Sequence, residues 1–250
     1  MSDAQILVSR EGAVMTVTFN TPAKRNAIST AGLDRLDALA DEITADPDVR
    51  AVILTGAGDK AFTSGFDLGE LGDFKPENFL RSRFSDVFEK WAKMPAPLIG
   101  ALNGHCMGGG VHVAVACDAL VAAPGVRFMI PAARFGFVYV PASIRRIAAA
   151  LGPSRAAGLL YLNREYVAED LAPQGFIDCI TEDVPGAAQE IAARAAALAP
   201  KAVAAMKEIV REAPDPARID ALVRGCAYSE DVAEGLSAMR EKRQPVFKNR

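Results

Sequence analysis

The chain has 250 residues, 50% of them hydrophobic and 24% charged, with 28 Lys and Arg set against 31 Asp and Glu for a net charge of −3. That balance excludes the basic footprint of a nucleic-acid binder, and no apolar run reaches the ~20 residues of a membrane span. The length buries a full core without staples. Four Cys without CxxC spacing read as reduced thiols, and Met1–Arg10 lacks the basic and apolar regions of a signal peptide, so a cytoplasmic protein is expected.

In chain order, Val14–Phe19 (VMTVTF) alternates with period two and predicts a strand, which Thr21–Pro22 breaks. Leu33, Leu36, Ala40 and Ile43 keep helical spacing behind an N-cap at Ser29–Thr30. Ala51–Thr55 (AVILT) is a short buried strand. A helix is expected over Glu77–Lys93, closed by Pro95 and Pro97, and Leu98–Leu102 (LIGAL) is the next strand. Gly108–Gly110 opens a helix over Val111–Cys117, and Ala119–Ala123 is again a strand. This alternation implies right-handed crossovers and a parallel sheet buried on both faces. After about Ala142 the pattern is helical, near 142–150, 153–161, 186–198, 200–212, 217–228 and 230–242, with Ile177–Ile180 as the only strand. The fold class is α/β, with a core over 1–190 and a helical region over 191–250. The Ala-rich stretch Ala192–Ala199 suggests packing onto another subunit.

Three local features bear on chemistry. Asn103–Gly110 (NGHCMGGG) lies between a strand and a helix. Consecutive Gly at a helix start leave backbone N–H groups open to an anion or a developing oxyanion, or simply make a tight turn. With no Lys–Ser/Thr after it, it is not a phosphate-binding P-loop, and it is not the GxGxxG of a dinucleotide fold. Ala61–Leu68 (AFTSGFDL) holds a Ser64–Gly65 turn, with Asp67 placed to cap the next helix. Lys24–Asn26 (KRN) is a basic loop after a strand. With two His in the chain, a multi-histidine metal site is not expected.

Together, in this order and spacing, these features resemble the crotonase superfamily, the enoyl-CoA hydratase/isomerase family. The resemblance runs along nearly the whole chain. It takes in Thr21–Ala27 (TPAKRNA), Phe62–Leu68 (FTSGFDL), Asn103–Asp118 (NGHCMGGGVHVAVACD), Arg127–Tyr139 (RFMIPAARFGFVY), Leu151–Ala168 and the tail Glu234–Lys248. It implies a spiral of ββα units with a C-terminal helical trimerisation region. The substrate it implies is an acyl-CoA thioester whose oxygen is held by the N–H groups of Phe66 and Gly109. Coenzyme A then arrives as part of the substrate, and no separate cofactor is expected. Lys24 and Arg25 match positions near the CoA phosphates, and Ala27 and Ser64 the adenine region. Asp67 and Leu68 complete that CoA-facing segment. Lys242 lies in a tail that reaches a neighbouring subunit's CoA. The partners implied are this thioester and further copies of the chain, in a homotrimer or homohexamer.

The sequence departs from the family where hydratases carry two glutamates. One position is His112 and the other, after Pro131, is Ala132; a third place, where isomerases often hold an acid, aligns near Val140. Addition of water across a double bond needs an acid and a base at the reacting carbons, and Ala supplies neither. His112 reads either as an acid–base group or as a hydrogen-bonded wall of the pocket. Tyr139, in GFVY, reads either as an active-site tyrosine of the methylmalonyl-CoA decarboxylase type or as a core aromatic. His105, Asp67, Asp118, Cys106 and Cys117 read as structural, while Arg134 is placed to meet an acidic substrate. An enzyme passing through a thioester enolate is expected, with a non-catalytic acyl-CoA-binding homologue as the alternative.

Overall fold

The structure, a computed structural model, describes residues 4–70 and 82–249. Ten strands form two sheets among these residues. The larger runs β1 (Ile6–Glu11), β2 (Val14–Phe19), β3 (Ala51–Gly56), β5 (Leu98–Leu102), β7 (Ala119–Ala122) and β10 (Cys179–Ile180). It is parallel except at its edge, where β1 pairs antiparallel with β2. The smaller sheet orders β4 (Ala61–Thr63), β6 (His105–Met107), β8 (Arg127–Met129) and β9 (Tyr166–Val167).

Alternation within single strands explains why the larger sheet is covered twice. Val52 and Leu54 face one core with Leu36, Phe88 and Trp91. Ala51 and Ile53 face the other, against Val184, Ala188, Ala192 and Ala196. The first layer comes from α1 (Thr30–Ala45), α2 (Arg83–Lys93) and α3 (Gly109–Ala116). Ser29 caps α1 by accepting the Gly32 N–H at 3.0 Å, at the predicted position. Ser82 caps α2 in the same way; the expected start at Glu77 lies outside the described residues.

The second layer corrects the expected division at residue 190. Helix α6 (Val184–Ala196), which comes after α4 (Pro141–Leu160) and the short α5 (Ala168–Leu171), runs through that point and belongs to the core. Its Ala192 and Ala196 were expected to meet another subunit. They are buried on this chain's own sheet, because small side chains let a helix sit close on strands. The helical extension is α7 (Pro200–Glu212), α8 (Pro216–Ala227) and α9 (Glu230–Glu241). Helix α4 spans the two segments expected at 142–150 and 153–161, broken at Gly152 (φ 73°) and Pro153. The smaller sheet and β1 were not expected. Nor was β9, which makes Ile177–Ile180 not the only late strand.

Candidate active site

Three chain crossings at the C-terminal edge of the parallel strands build the site. The loop after β2 holds residues 21–27, the segment after β4 holds 64–68, and the turn from β6 into α3 holds 107–109. Two asparagines, the buried Asn26 and the half-buried Asn103, tie them together. Asn26, in the left-handed region at φ 54°, accepts the Thr21 N–H through Oδ1 and donates Nδ2 to the carbonyls of Ala57 and Ala61. Its own carbonyl accepts Thr63 Oγ1 at 2.6 Å. Asn103 accepts the Gly56 N–H at 3.0 Å and donates back to the Gly56 carbonyl at 2.7 Å. An asparagine saturated on both sides costs little to bury and locks loops that have no ladder of their own.

At the centre two glycine backbones touch. Gly65 sits at φ 85°, and a Cβ there would lie 2.5 Å from Gly109 Cα and 2.6 Å from Gly109 N. No side chain fits on Gly65 at that crossing, so the SGF turn rests on the first residue of α3. Phe66 bridges Ile28 in parallel. The bonds of that bridge are Ile28 N–H to Gly65 O at 2.8 Å and Asp67 N–H to Ile28 O at 2.9 Å. In such a bridge the N–H of the middle residue turns away from the partner strand. The Phe66 N–H therefore points away from Ile28. Gly109 is the first residue of α3, where an N–H has no partner within the helix. Two open amide donors thus border one contact, at the positive end of a helix dipole.

Among the described residues, His112, Tyr139 and Ala132 bring no charge to this contact. His112, one turn into α3, is 3% exposed; its Nε2 lies 3.4 Å from Ser143 Oγ, which is 3.0 Å from Ser85 Oγ. Its ring packs edge-on to Phe84, at 5.9 Å between centroids. Burial, helped by the charge of Arg146, lowers the imidazole to about 4, so it is uncharged at neutral pH. Tyr139 Oη stands 3.8 Å from where a side chain on Gly108 would begin. Burial pushes its phenol up, so it stays protonated. Ala132 is buried in the turn Ala132–Phe135, and Arg134 on that turn is exposed.

The outer rim joins Lys24, Arg25, Ala27, Ser64, Asp67 and Leu68. Lys24 Nζ pairs with Asp67 at 2.7 Å, and the hydrogen bond to Lys24 holds the Asp67 carboxyl below its ordinary range. Asp67 also caps the next turn by accepting the Gly69 N–H at 3.0 Å. The Ser64 N–H donates to the Arg25 carbonyl at 3.0 Å. Lys242 is not brought to this rim. It ends α9, and the tail beyond it is held by Arg50, whose Nη2 donates to the Phe247 carbonyl at 2.7 Å. Arg50 precedes β3, at the opposite edge of the sheet.

The other titratable candidates are structural. His105 is bonded through both ring nitrogens to Arg127. Cys106 and Cys117 are buried with their thiols pushed up by desolvation. Asp118 gathers Lys207 at 2.7 Å, Arg211 at 2.8 Å and the Leu98 N–H at 2.7 Å. The pairs Asn26–Thr63 and Ser85–Ser143 were not singled out in the sequence. A left-handed Asn and two isolated Ser carry the same signal as surface turns.

The comparisons with known proteins agree with this architecture. The family model described as enoyl-CoA hydratase/isomerase matches residues 9–250. A carnitinyl-CoA dehydratase of Citrobacter koseri is 31% identical, with 97% of each chain covered. A short-chain-enoyl-CoA hydratase of Clostridium acetobutylicum is 30% identical, with 98% of each covered. The crystal structure of an enoyl-CoA hydratase from Bacillus anthracis superposes with a TM-score of 0.92 at 28% identity, covering 99% of this chain and 100% of that one. The chain belongs to the enoyl-CoA hydratase/isomerase family and has the crotonase fold. It is an acyl-CoA enzyme of that family.

Proposed function

We propose that the N–H groups of Phe66 and Gly109 hold the thioester oxygen of an acyl-CoA and stabilise its enolate. The observation that supports this reading is the close contact of Gly65 with Gly109, since Phe66 follows the first and Gly109 opens α3. A single such donor is worth about 3–4 kcal/mol to a transition state. Lys24, Arg25, Ala27, Ser64, Asp67 and Leu68 form the rim along which the coenzyme A part of the substrate lies. Lys242 serves the CoA of a neighbouring copy in a homotrimer or a dimer of trimers.

An acyl-CoA enolate forms by proton removal, by addition to a double bond, or by loss of a carboxylate. The first two need a base near its working pKa. His112 is neutral and, at about 4, a weak base; Tyr139 is a protonated phenol; Ala132 offers nothing. Loss of CO2 needs no base. The bond to the carboxylate breaks, its electron pair enters the thioester to give the enolate, CO2 departs, and the α-carbon then takes a proton. Tyr139, whose hydroxyl lies near Gly108, is the group we assign to relay that proton. The neutral state of these described residues favours decarboxylation of a malonyl-type thioester as the second, narrower reading.

The test is a panel of malonyl-, methylmalonyl-, crotonyl- and 3-enoyl-CoA with products read by mass spectrometry. Hydration of crotonyl-CoA is expected to run at least ~10²-fold below that of a hydratase with both glutamates. Hydration at a comparable rate contradicts the roles given to His112 and Ala132. Tight binding of every thioester with turnover of none favours a binding homologue.

A further inference from the structure

Three helices meet at His112. It stands three residues after Gly109 in α3, and a helical Cβ leans towards the N-terminus of its helix, so its side chain lies over the turn that begins at Gly109. The ring of Phe84 borders both residues. It packs against the imidazole at 5.9 Å between centroids, and its Cζ stands 2.9 Å from where a Cβ on Gly109 would begin. His112 Nε2 meets Ser143 Oγ, in the first turn of α4, at 3.4 Å. Ser143 Oγ in turn meets Ser85 Oγ, in the first turn of α2, at 3.0 Å. All three residues are buried.

Counting protons along this chain of atoms decides which nitrogen of the neutral ring carries one. Neither hydroxyl has a further partner among the described residues. If Ser85 O–H donates to Ser143 and Ser143 O–H donates to Nε2, both hydroxyl protons are used and the ring proton sits on Nδ1. If Nε2–H donates to Ser143 instead, one buried O–H is left without an acceptor whichever way the serine pair turns, an arrangement folded proteins avoid. Nδ1 itself has no partner among the described residues. Arg146 Nη1 is the one side-chain nitrogen or oxygen of those residues that is sealed from solvent without a partner, so Nδ1 is not sealed.

Resting on the reading of Phe66 and Gly109 as the thioester site, we propose that His112 enters that site as a neutral hydrogen-bond donor through Nδ1–H, and that the acyl group of the substrate carries an acceptor oxygen, a carbonyl or a carboxylate, to meet it. Ser143 and Ser85 are the positioning residues that hold this tautomer. A plain hydrocarbon acyl group would leave the N–H unpaired in a buried place, so the site discriminates against it. His112 then takes a glutamate's position without taking a base's role.

Calorimetric titration of the full chain with butyryl-CoA and with acetoacetyl-CoA, which adds a carbonyl oxygen to the same chain, tests this. Acetoacetyl-CoA is expected to bind about fivefold or more tighter. His112→Leu, which removes the donor, is expected to erase that preference. Ser143→Ala is expected to narrow it, and Ser143→Thr, which keeps the hydroxyl, to retain it. Nitrogen-15 spectra of the histidine-labelled native chain read the tautomer without any ligand, with the His112 signals assigned by their loss in His112→Leu. They are expected to show Nδ1 protonated and Nε2 bare, and to lose that uniformity in Ser143→Ala. A native ring protonated on Nε2, equal affinities for the two thioesters in the native chain, a preference that survives His112→Leu, or a tautomer and preference unchanged in Ser143→Ala each overturns the proposal while the thioester site stands. Failure of the native chain to bind either thioester overturns the reading of the site itself, and the proposal with it.

Discussion

His112 shows how one residue's surroundings decide its chemistry. The family resemblance leads one to expect a glutamate at this position; here an imidazole is enclosed by Phe84, Ser143 and, beyond it, Ser85. Burial lowers it from 6.5 to about 4. The folded state therefore disfavours the proton that the unfolded chain accepts near 6.5. The stability contributed by the neutral form is complete above about pH 6.5 and is lost as pH falls towards 4. A shift of this size corresponds to about 3 kcal/mol. Denaturant unfolding at a series of pH values is expected to show native stability falling more steeply over that window than in His112→Gln. Parallel pH profiles for the two proteins contradict the burial argument.

Elements were legible in proportion to how much of one face they bury. AVILT, LIGAL and ALVA are continuous apolar runs because both faces of the sheet are covered, so β3, β5 and β7 stood out. Strands of two or three residues, such as AFT, HCM and YV, are too short to show any period, and the smaller sheet stayed hidden. In β1 only Ile6 is buried, so its alternation has no core to report. In the site the same rule holds. The glycines of the central contact were legible because a missing side chain is a visible signal, while Asn26 and Ser143 depend on partners far along the chain. Asp118 links elements in the same long-range way. It holds Lys207, whose side chain is 8% exposed, and Arg211, and so fastens α7 to the end of β5. Burial already lowers the Lys207 ammonium from its ordinary range. Asp118→Ala leaves two partly buried cations without their carboxylate, and because Asp118 itself is reached by solvent a loss of about 1–3 kcal/mol is expected from urea midpoints. A change below about 1 kcal/mol would show that the pair contributes nothing to docking the helix.

At the scale of the whole molecule, α7, α8 and α9 carry apolar side chains that this chain does not cover. Val210, Val223, Tyr228 and Met239 are each more than half exposed. Single exposed apolar residues are ordinary, but a row of them over three successive helices marks an interaction surface. Light scattering at micromolar concentration is expected to give three or six times the 26.5 kDa chain mass. Truncation before Asp215 is expected to abolish that assembly. A stable monomer of 26.5 kDa would remove the reason for Lys242 to serve a neighbour's site. The central claim is narrower and independent of both assembly and reaction type: two backbone N–H groups polarise the thioester carbonyl. Its most direct measurement is the carbonyl stretching frequency of a bound, unreactive acyl-CoA in the native chain, in Gly109→Pro and in Gly109→Ala. Proline is tolerated at the first helical position, where it removes only an N–H without an intrahelical partner, and alanine adds the same Cβ crowding while keeping the donor. The account predicts a shift to lower frequency in the native chain, retained in Gly109→Ala and reduced in Gly109→Pro. An unshifted carbonyl in the native chain, or an equal shift in Gly109→Pro, would contradict it.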